Sequence, residues 1–505
     1  MFFAIPRRWL ILLAVMLAFL PVVIDMTILH IAVPSLTLAL SASANEVLWI
    51  IDIYPLLMAG LLVPMGTIAD RIGHRRLLLT GLAVFGTASL LAAFAQAPAM
   101  LIGARALLAL GGSMIMPCVL GIIRRAFEDE KERAMALGLW GTVSAAGAAL
   151  GPLVGGALLE HFWWGSAFLI NVPVMLAVIP LVFILLPRTE ETTPSQWGPW
   201  QAVLLIAGIL ALVYGIKAAF GATQPLYLAL SMALFGLGLL LAFVRLQLHA
   251  PQPLLDLSLF SRPAILAGIL MAVVASGALA GVELTLAQEL QYVMDKTPLQ
   301  AGIFMTPIMA AAALGGPVAG HLSNLFGLRA VASLPLMIAA GALAGLALSD
   351  FEHPGLTVPV LLALLGLSLS IGLTASSIAI MSSVDARQGG AAGSMEATAY
   401  ELGSGLGIML FGVFLSSVYS HTIVLALDIT SSQARHAARS IGDTHVVARD
   451  LAEPQAKALV AAGKAAFSSS HSILLMTSAV LLAVLSIAVT YLLRRHSVPQ
   501  QDRPT

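Results

Sequence analysis

About fourteen times along this chain, roughly 20 consecutive residues pass with almost no charge, the length of helix that crosses the ~30 Å hydrocarbon core of a bilayer. Such segments have one stable form in lipid, because only a helix satisfies its own N–H and C=O groups within the segment. The spans begin near Trp9, Val47, Leu77, Met100, Ala134, Ser166, Trp200, Leu226, Ala264, Ala301, Ala330, Leu356, Gly393 and Ile473. Composition agrees: 59% of the 505 residues are hydrophobic and 10% charged, against roughly 45–50% apolar in a soluble domain. The expected class is an all-α polytopic membrane protein.

Several functions are excluded early. Lys+Arg 25 balances Asp+Glu 25 and no basic tract is long enough for a groove-binding arm, so no nucleic-acid partner is expected. Cys118 is the single cysteine, which rules out an internal disulfide or a cysteine-based metal cluster and reads as a small buried hydrophobe. No Walker loop is present to bring ATP as an energy source, and neither cofactor, metal nor enzymatic chemistry is expected. The apolar run after Arg7, Arg8 and Trp9 is too long for a signal peptide and lacks a small-residue cleavage site, so it is read as a retained first span.

An even number of spans puts both termini on one side. Arg7, Arg8, Arg71, Arg75, Arg76, Arg124, Arg125, Lys131, Arg133, Arg188, Arg245, Arg262, Arg329, Arg387, Arg494 and Arg495 all fall there, which makes that side the cytoplasm. The opposite short loops offer Lys217 and Lys296, and a long external loop, about 420–470, carries Arg435, Arg439, Arg449, Lys457 and Lys464. That loop is expected to be partly helical, with its amphipathic pattern interrupted by Pro454. Two hydrophilic punctuations, 187–199 and 245–263, divide the chain into a six-helix bundle (1–188), a two-helix insertion (189–262) and a second six-helix bundle (263–505). A faint repeat supports this: GTIADRIGHRR (Gly66 to Arg76) and GHLSNLFGLR (Gly320 to Arg329) each follow the second span of a half. Repeated halves are one way to build a central transport cavity.

Charges inside the spans mark the candidate site, since an ionisable group costs about 3 kcal/mol at the centre of a span and is kept where it has a partner or a task. Asp25 and His30 lie in the first span, Asp52 in the second, Arg105 in the fourth, Glu283 and Glu289 in the ninth, and Glu396 and Glu401 in the thirteenth. A carboxyl in a dry site holds a proton until a cation takes its place, and that competition is antiport. His30 lies five residues, roughly 140°, from Asp25, and neither the Glu283/Glu289 nor the Glu396/Glu401 pair shares a helix face. In the fifth span Gly147, Gly151 and Gly155 form one close-packing face beside Pro152. Trp49, Trp140, Phe168, Tyr292, Met309 and Phe411 are possible pocket linings for flat cations or plain packing residues.

These segments resemble the major facilitator superfamily, specifically its fourteen-helix drug:proton antiporters of the QacA and SmvA type, over nearly the whole chain. GTIADRIGHRRLLLTG is similar to the signature between helices 2 and 3, with Gly66, Asp70, Arg71, Gly73, Arg75 and Arg76 in place and His74 where a basic residue is usual. GAALGPLVGG (Gly147 to Gly156) resembles the antiporter signature of helix 5, and IDMTILHIAVP that of helix 1, with His30 replacing an asparagine. Arg105 corresponds to the helix 4 arginine implicated in proton handling, followed here by Leu108 and Ala109 instead of Gln and Gly. The resemblance implies a major facilitator fold (6 + 2 + 6 helices), gating at the loop and helix 5 signatures, and proton and substrate coupling through Asp25, Glu283, Glu401, Glu396, Asp52, Glu289 and Arg105. It also implies export of organic cations (quaternary ammonium compounds, bisbiguanides, cationic dyes, viologens) in exchange for protons across the bacterial inner membrane, by a monomer in the lipid bilayer. An uptake symporter for a cationic nutrient and a non-transporting scaffold or sensor are the competing readings.

Overall fold

The computed structural model describes residues 6–187, 198–220, 225–250, 253, 255, 257–384, 389–425 and 429–494, and every regular element among them is helical. Arg188, Arg387, Arg495 and most of the first punctuation lie outside the described residues. The first six spans are α1 (Arg7–Leu40), α2 (Ala44–Ile72), α3 (His74–Ala93), α4 (Pro98–Ala126), α5 (Glu130–His161) and the broken span α6 (Ser166–Leu169) with α7 (Asn171–Leu185). Next come the pair α8 (Pro199–Phe220) and α9 (Leu226–His249). The remaining spans are α10 (Pro263–Gln288), α11 (Pro298–Phe326), α12 (Leu328–Ala347), α13 (Thr357–Met381), α14 (Gly389–Thr422) and α17 (Glu453–Arg494); two short helices, α15 (Ser431–Ala437) and α16 (Ile441–Ala448), precede α17. Among the described residues, 14 helices are long and apolar enough to cross a membrane.

Local chemistry sets the helix ends. Ser43 with Glu46 and Thr297 with Gln300 form reciprocal capping boxes at the starts of α2 and α11. Gly73 (φ 97°) and Gly327 (φ 77°) make the tight junctions α2–α3 and α11–α12, a backbone region open to glycine. They occupy matching places in the faint repeat, so its two glycine turns serve the same purpose in each half. Past the membrane, the reading of Pro454 is corrected. It does not interrupt a helix but sits in the first turn of α17, where its missing N–H has no partner to lose. At 42 residues α17 is roughly 60 Å long, so it extends well beyond a bilayer on the side opposite the termini, the distal face. There α15 and α16 pack onto it around Ala437, Val447 and Leu459.

Two large apolar cores form, one mainly from α1–α7 and one from α10–α14 with α17. They meet along two seams. A Cβ on Gly405 or Gly412 of α14 would strike Leu56 or Leu48 of α2, and one on Gly156 of α5 would come 2.7 Å from the Leu299 backbone of α11. The Gly412 and Gly156 approaches lie in the distal half and the Gly405 approach at mid-helix, so these contacts hold the bundles together from the middle of the molecule to the distal face. The insertion α8–α9 packs over α2 and α14 through Leu56, Leu205, Ile209, Val213, Phe243 and Met409.

Candidate functional site

Asp25 points from α1 into the first core, fully buried, and forms an ion pair with Arg105 of α4. Asn171 Nδ2 at the start of α7 donates to Asp25 Oδ1 (3.5 Å) and to Ser89 Oγ (3.3 Å). The guanidinium of Arg105 is committed on several sides. Its Nε donates to the Ile50 carbonyl of α2 (3.1 Å), and its plane lies 4.5 Å from the Tyr54 ring centre and 5.9 Å from that of Phe168. A planar, multidentate cation suits this position, with two directed bonds and an aromatic face at once.

Glu401 of α14 belongs to the same charged field. It is 2% exposed, its Oε2 makes no hydrogen bond among the described residues, and Tyr54 lies within electrostatic reach of Asp25, Arg105 and Glu401 together. Tyr400 in turn feels Glu401 and Glu283. Glu283 of α10 faces His30 of α1 across the seam, with Oε2 3.4 Å from Nδ1 and both side chains buried. One helix, α1, thus turns Asp25 into the first bundle and His30 toward the second, as the angle between them requires.

The remaining predicted acids are placed elsewhere. Glu289 pairs with His471 of α17 (3.5 Å), in a short π-helical continuation of α10, and Glu396 is hydrogen-bonded to Ser377 of α13. Asp52 pairs with Lys217 of α8 at 2.6 Å, both buried, and Lys217 lies 4.0 Å from the centre of the Trp49 ring. Lys217 is therefore not the loop cation expected from the sequence. It sits inside α8, 2% exposed. Phe411 packs against Gly281, and Tyr292 against His445, 5.1 Å between ring centres.

The residues expected to gate sort by helix pair. Gly66 faces Pro117 of α4, Asp70 lies 3.7 Å from His74 and 3.9 Å from Arg125, and Arg75 donates to the Phe183 carbonyl (2.9 Å) while covering its ring. Arg71 and Arg76 are exposed. His74 is buried because its ring lies over Gly121, which has no side chain to oppose it. Gly147, Gly151 and Gly155 face Leu20, Thr27 and Ile28 of α1, and Thr27 Oγ1 donates to the Ala148 carbonyl (3.1 Å). The neighbouring Pro152 backbone abuts Gly302 of α11, so α5 serves both an internal contact and a seam.

A narrow cleft opens farther out, between Thr37, Gln288, Tyr292, Tyr419 and Ser440. No charged side chain lines it, which leaves the Asp25–Arg105–Glu401–Glu283 field as the candidate site for a cation. Asn171, Tyr54 and His471 were missed in the sequence, and Lys217 was assigned to a loop. Each is a polar group in an apolar run, the same signal that singled out the acids.

A bundle of spanning helices around buried charges has the architecture of a membrane transporter, and the comparisons with known proteins bear that class out. The chain belongs to the Major Facilitator Superfamily, whose model matches residues 15–408. It is 44% identical over 489 residues to the methyl viologen resistance protein SmvA of Salmonella typhimurium, covering 97% of this chain and 99% of that protein. It is 35% identical over 494 residues to the multidrug efflux pump LfrA of Mycolicibacterium smegmatis, 97% of each. An inward-facing, unoccupied crystal structure of a bacterial homolog to the human lysosomal transporter Spinster shares the fold, with a TM-score of 0.69, 19% identity and coverage of 98% of this chain and 100% of that one.

Proposed function

We propose that this protein is a proton-coupled antiporter that exports organic cations across the bacterial cytoplasmic membrane, with both termini cytoplasmic and a single chain as the working unit. The observation that carries the reading is the buried Asp25–Arg105 pair sharing one field with Glu401, whose Oε2 makes no hydrogen bond among the described residues, at the meeting of the two bundles. The similarity to proteins named for methyl viologen resistance and multidrug efflux supports the direction and the substrate class. In this reading a proton or an organic cation neutralises the acids, never both, and the helices splay to one face or the other according to which is bound. Quaternary ammonium compounds, bisbiguanides, cationic dyes and viologens are the proposed cargo.

The gradient supplies about 1.4 kcal/mol per proton per pH unit and about 2.3 kcal/mol per net charge per 100 mV. One proton for one monocation is electroneutral and draws on the pH term alone, while a dication needs a second proton to avoid working against the potential. The test is proton release from purified protein, and proton-driven uptake into inverted vesicles, on adding methyl viologen. Release with counterflow supports antiport. Proton movement in the same direction as the cation would make the protein a symporter and end this reading.

A further inference from the structure

The insertion α8–α9 lies across the α2–α14 seam, so it touches both halves of a molecule whose halves must move apart. Its two contacts are unlike in kind. Toward α14 the shared surface is apolar side chains, Leu402, Leu406, Met409 and Val413, which slide without breaking a directed bond. Toward α2 it is keyed at two heights. Ile206 fills the space left by Gly60, and Lys217 meets Asp52 at 2.6 Å under the face of Trp49, 4.0 Å away. Asp52 and Lys217 are both buried, so separating them would leave two uncompensated charges in a low dielectric. The same turn of α2 is held from the other side, where Arg105 takes the Ile50 carbonyl.

We propose that Lys217 is a positioning residue whose ion pair with Asp52 makes α8 and α9 ride with the first six helices as these rock against the last six, and that the charge of Asp52 belongs to this pair instead of to proton or substrate. An acid that carried protons would have to be neutralised in each cycle, and Lys217 would then be stranded. The insertion is thus a strap fastened to one bundle and sliding on the other.

Two measurements test this, and the first does not depend on the transport reading. Thermal unfolding and membrane level are compared for Asp52→Asn, Lys217→Met and the double variant. Each single should lower the unfolding midpoint, and the double should restore it, since a neutral Asn–Met pair of similar volume leaves no lone charge in a low dielectric. Methyl viologen efflux should follow the same order, at least tenfold lower in each single and within threefold of the parent in the double. A stable double with efflux as low as Asp52→Asn would return Asp52 to the proton or substrate path and overturn the proposal, as would a double that fails to accumulate when the singles do.

The second measurement concerns motion. In a Cys118→Ala background, spin labels on lipid-facing Val203→Cys of α8 are paired with Leu90→Cys of α3 or with Ile338→Cys of α12. On adding methyl viologen, the α8–α3 distance should stay constant while the α8–α12 distance shifts, and Lys217→Met should broaden the first. Equal shifts in both distances would overturn the strap. A molecule in which neither distance responds to methyl viologen counts against the proposed substrate, and the unfolding comparison still decides the pair.

Discussion

Arg105 shows what a single residue contributes here. Its side chain ties α4 to α1 through Asp25 and to α2 through the Ile50 carbonyl, under Tyr54. Asp25→Asn keeps the volume but strands this guanidinium. Breaking a buried pair costs about 3–5 kcal/mol, and the amide cannot exchange a proton for a cation. Export should fall by about two orders of magnitude or more for every substrate charge. A double variant, Asp25→Asn with Arg105→Met, separates the two effects: detergent-solubilised protein should regain most of its thermal stability while dye efflux stays absent. Recovery of efflux in the double would show that Asp25 is only a structural counterion. At this scale the sequence pointed out charged residues that the fold buries and pairs, because a charge in an apolar run is conspicuous. It was silent about partners. Nothing along the chain links Asp52 with Lys217, 165 positions away, or Glu289 with His471.

At the scale of the helix, patterns of small residues carried the information. The stripe of Gly147, Gly151 and Gly155 announced a close contact, and α1 is what it contacts. A side chain at 151 would enter the space of the Thr27 hydroxyl, whose bond to the Ala148 carbonyl pins the two helices. Gly151→Leu should therefore push α5 off α1 and, through Pro152 and Gly302, disturb the seam with α11. The expected outcome is at least a tenfold loss of efflux at normal membrane level, and parental efflux would reduce the stripe to a packing preference. Outside the membrane, α16 carries a different lesson. Burial pushes the Asp443 carboxyl above its usual range, against the opposing help of the Ser440 hydroxyl and His436, and pushes the His445 imidazole below its own. For an acid so raised, the favourable contribution is complete at pH below its unfolded value and is lost as pH rises through the folded one. For a histidine so lowered, it is complete above the unfolded value and lost as pH falls through the folded one. Hydrogen exchange over 431–448 should then speed up beyond the intrinsic trend as pH rises through the Asp443 titration and slow as pH rises through that of His445, and Asp443→Asn should remove the first change and leave the second. An unchanged profile in the variant would locate the sensitivity elsewhere. Helical character in this loop was visible in its amphipathic pattern, but its docking on α17 depends on tertiary contacts that no local pattern encodes.

At the scale of the whole molecule, fourteen spans and their 6 + 2 + 6 order were legible because lipid leaves one solution to each apolar run. The way the halves meet was not, since closure at the distal seams rests on glycines meeting side chains far apart in sequence, such as Gly412 with Leu48. That geometry bears on substrate charge. The first bundle brings Asp25, already compensated by Arg105, and the second brings Glu283, facing His30, and Glu401, with a free carboxyl oxygen. A monocation needs one countercharge, whereas a dication gains from two. Attraction at about 6 Å with an effective dielectric near 20 is roughly 3 kcal/mol, about a hundredfold in affinity. Glu401 is the acid open to supply the second charge, because Glu283 must first part from His30. Glu401→Gln should then spare export of a monovalent quaternary ammonium within a few-fold while lowering export of a bisbiguanide or methyl viologen by one to two orders of magnitude. Glu283→Gln, measured beside it with one substrate of each charge in the same vesicles, should show the smaller contrast. Equal loss of both substrates in the Glu401 variant would instead make Glu401 the obligatory proton carrier. A selective loss confined to the Glu283 variant would place the second charge at the His30 contact, with the imidazole giving way to the dication.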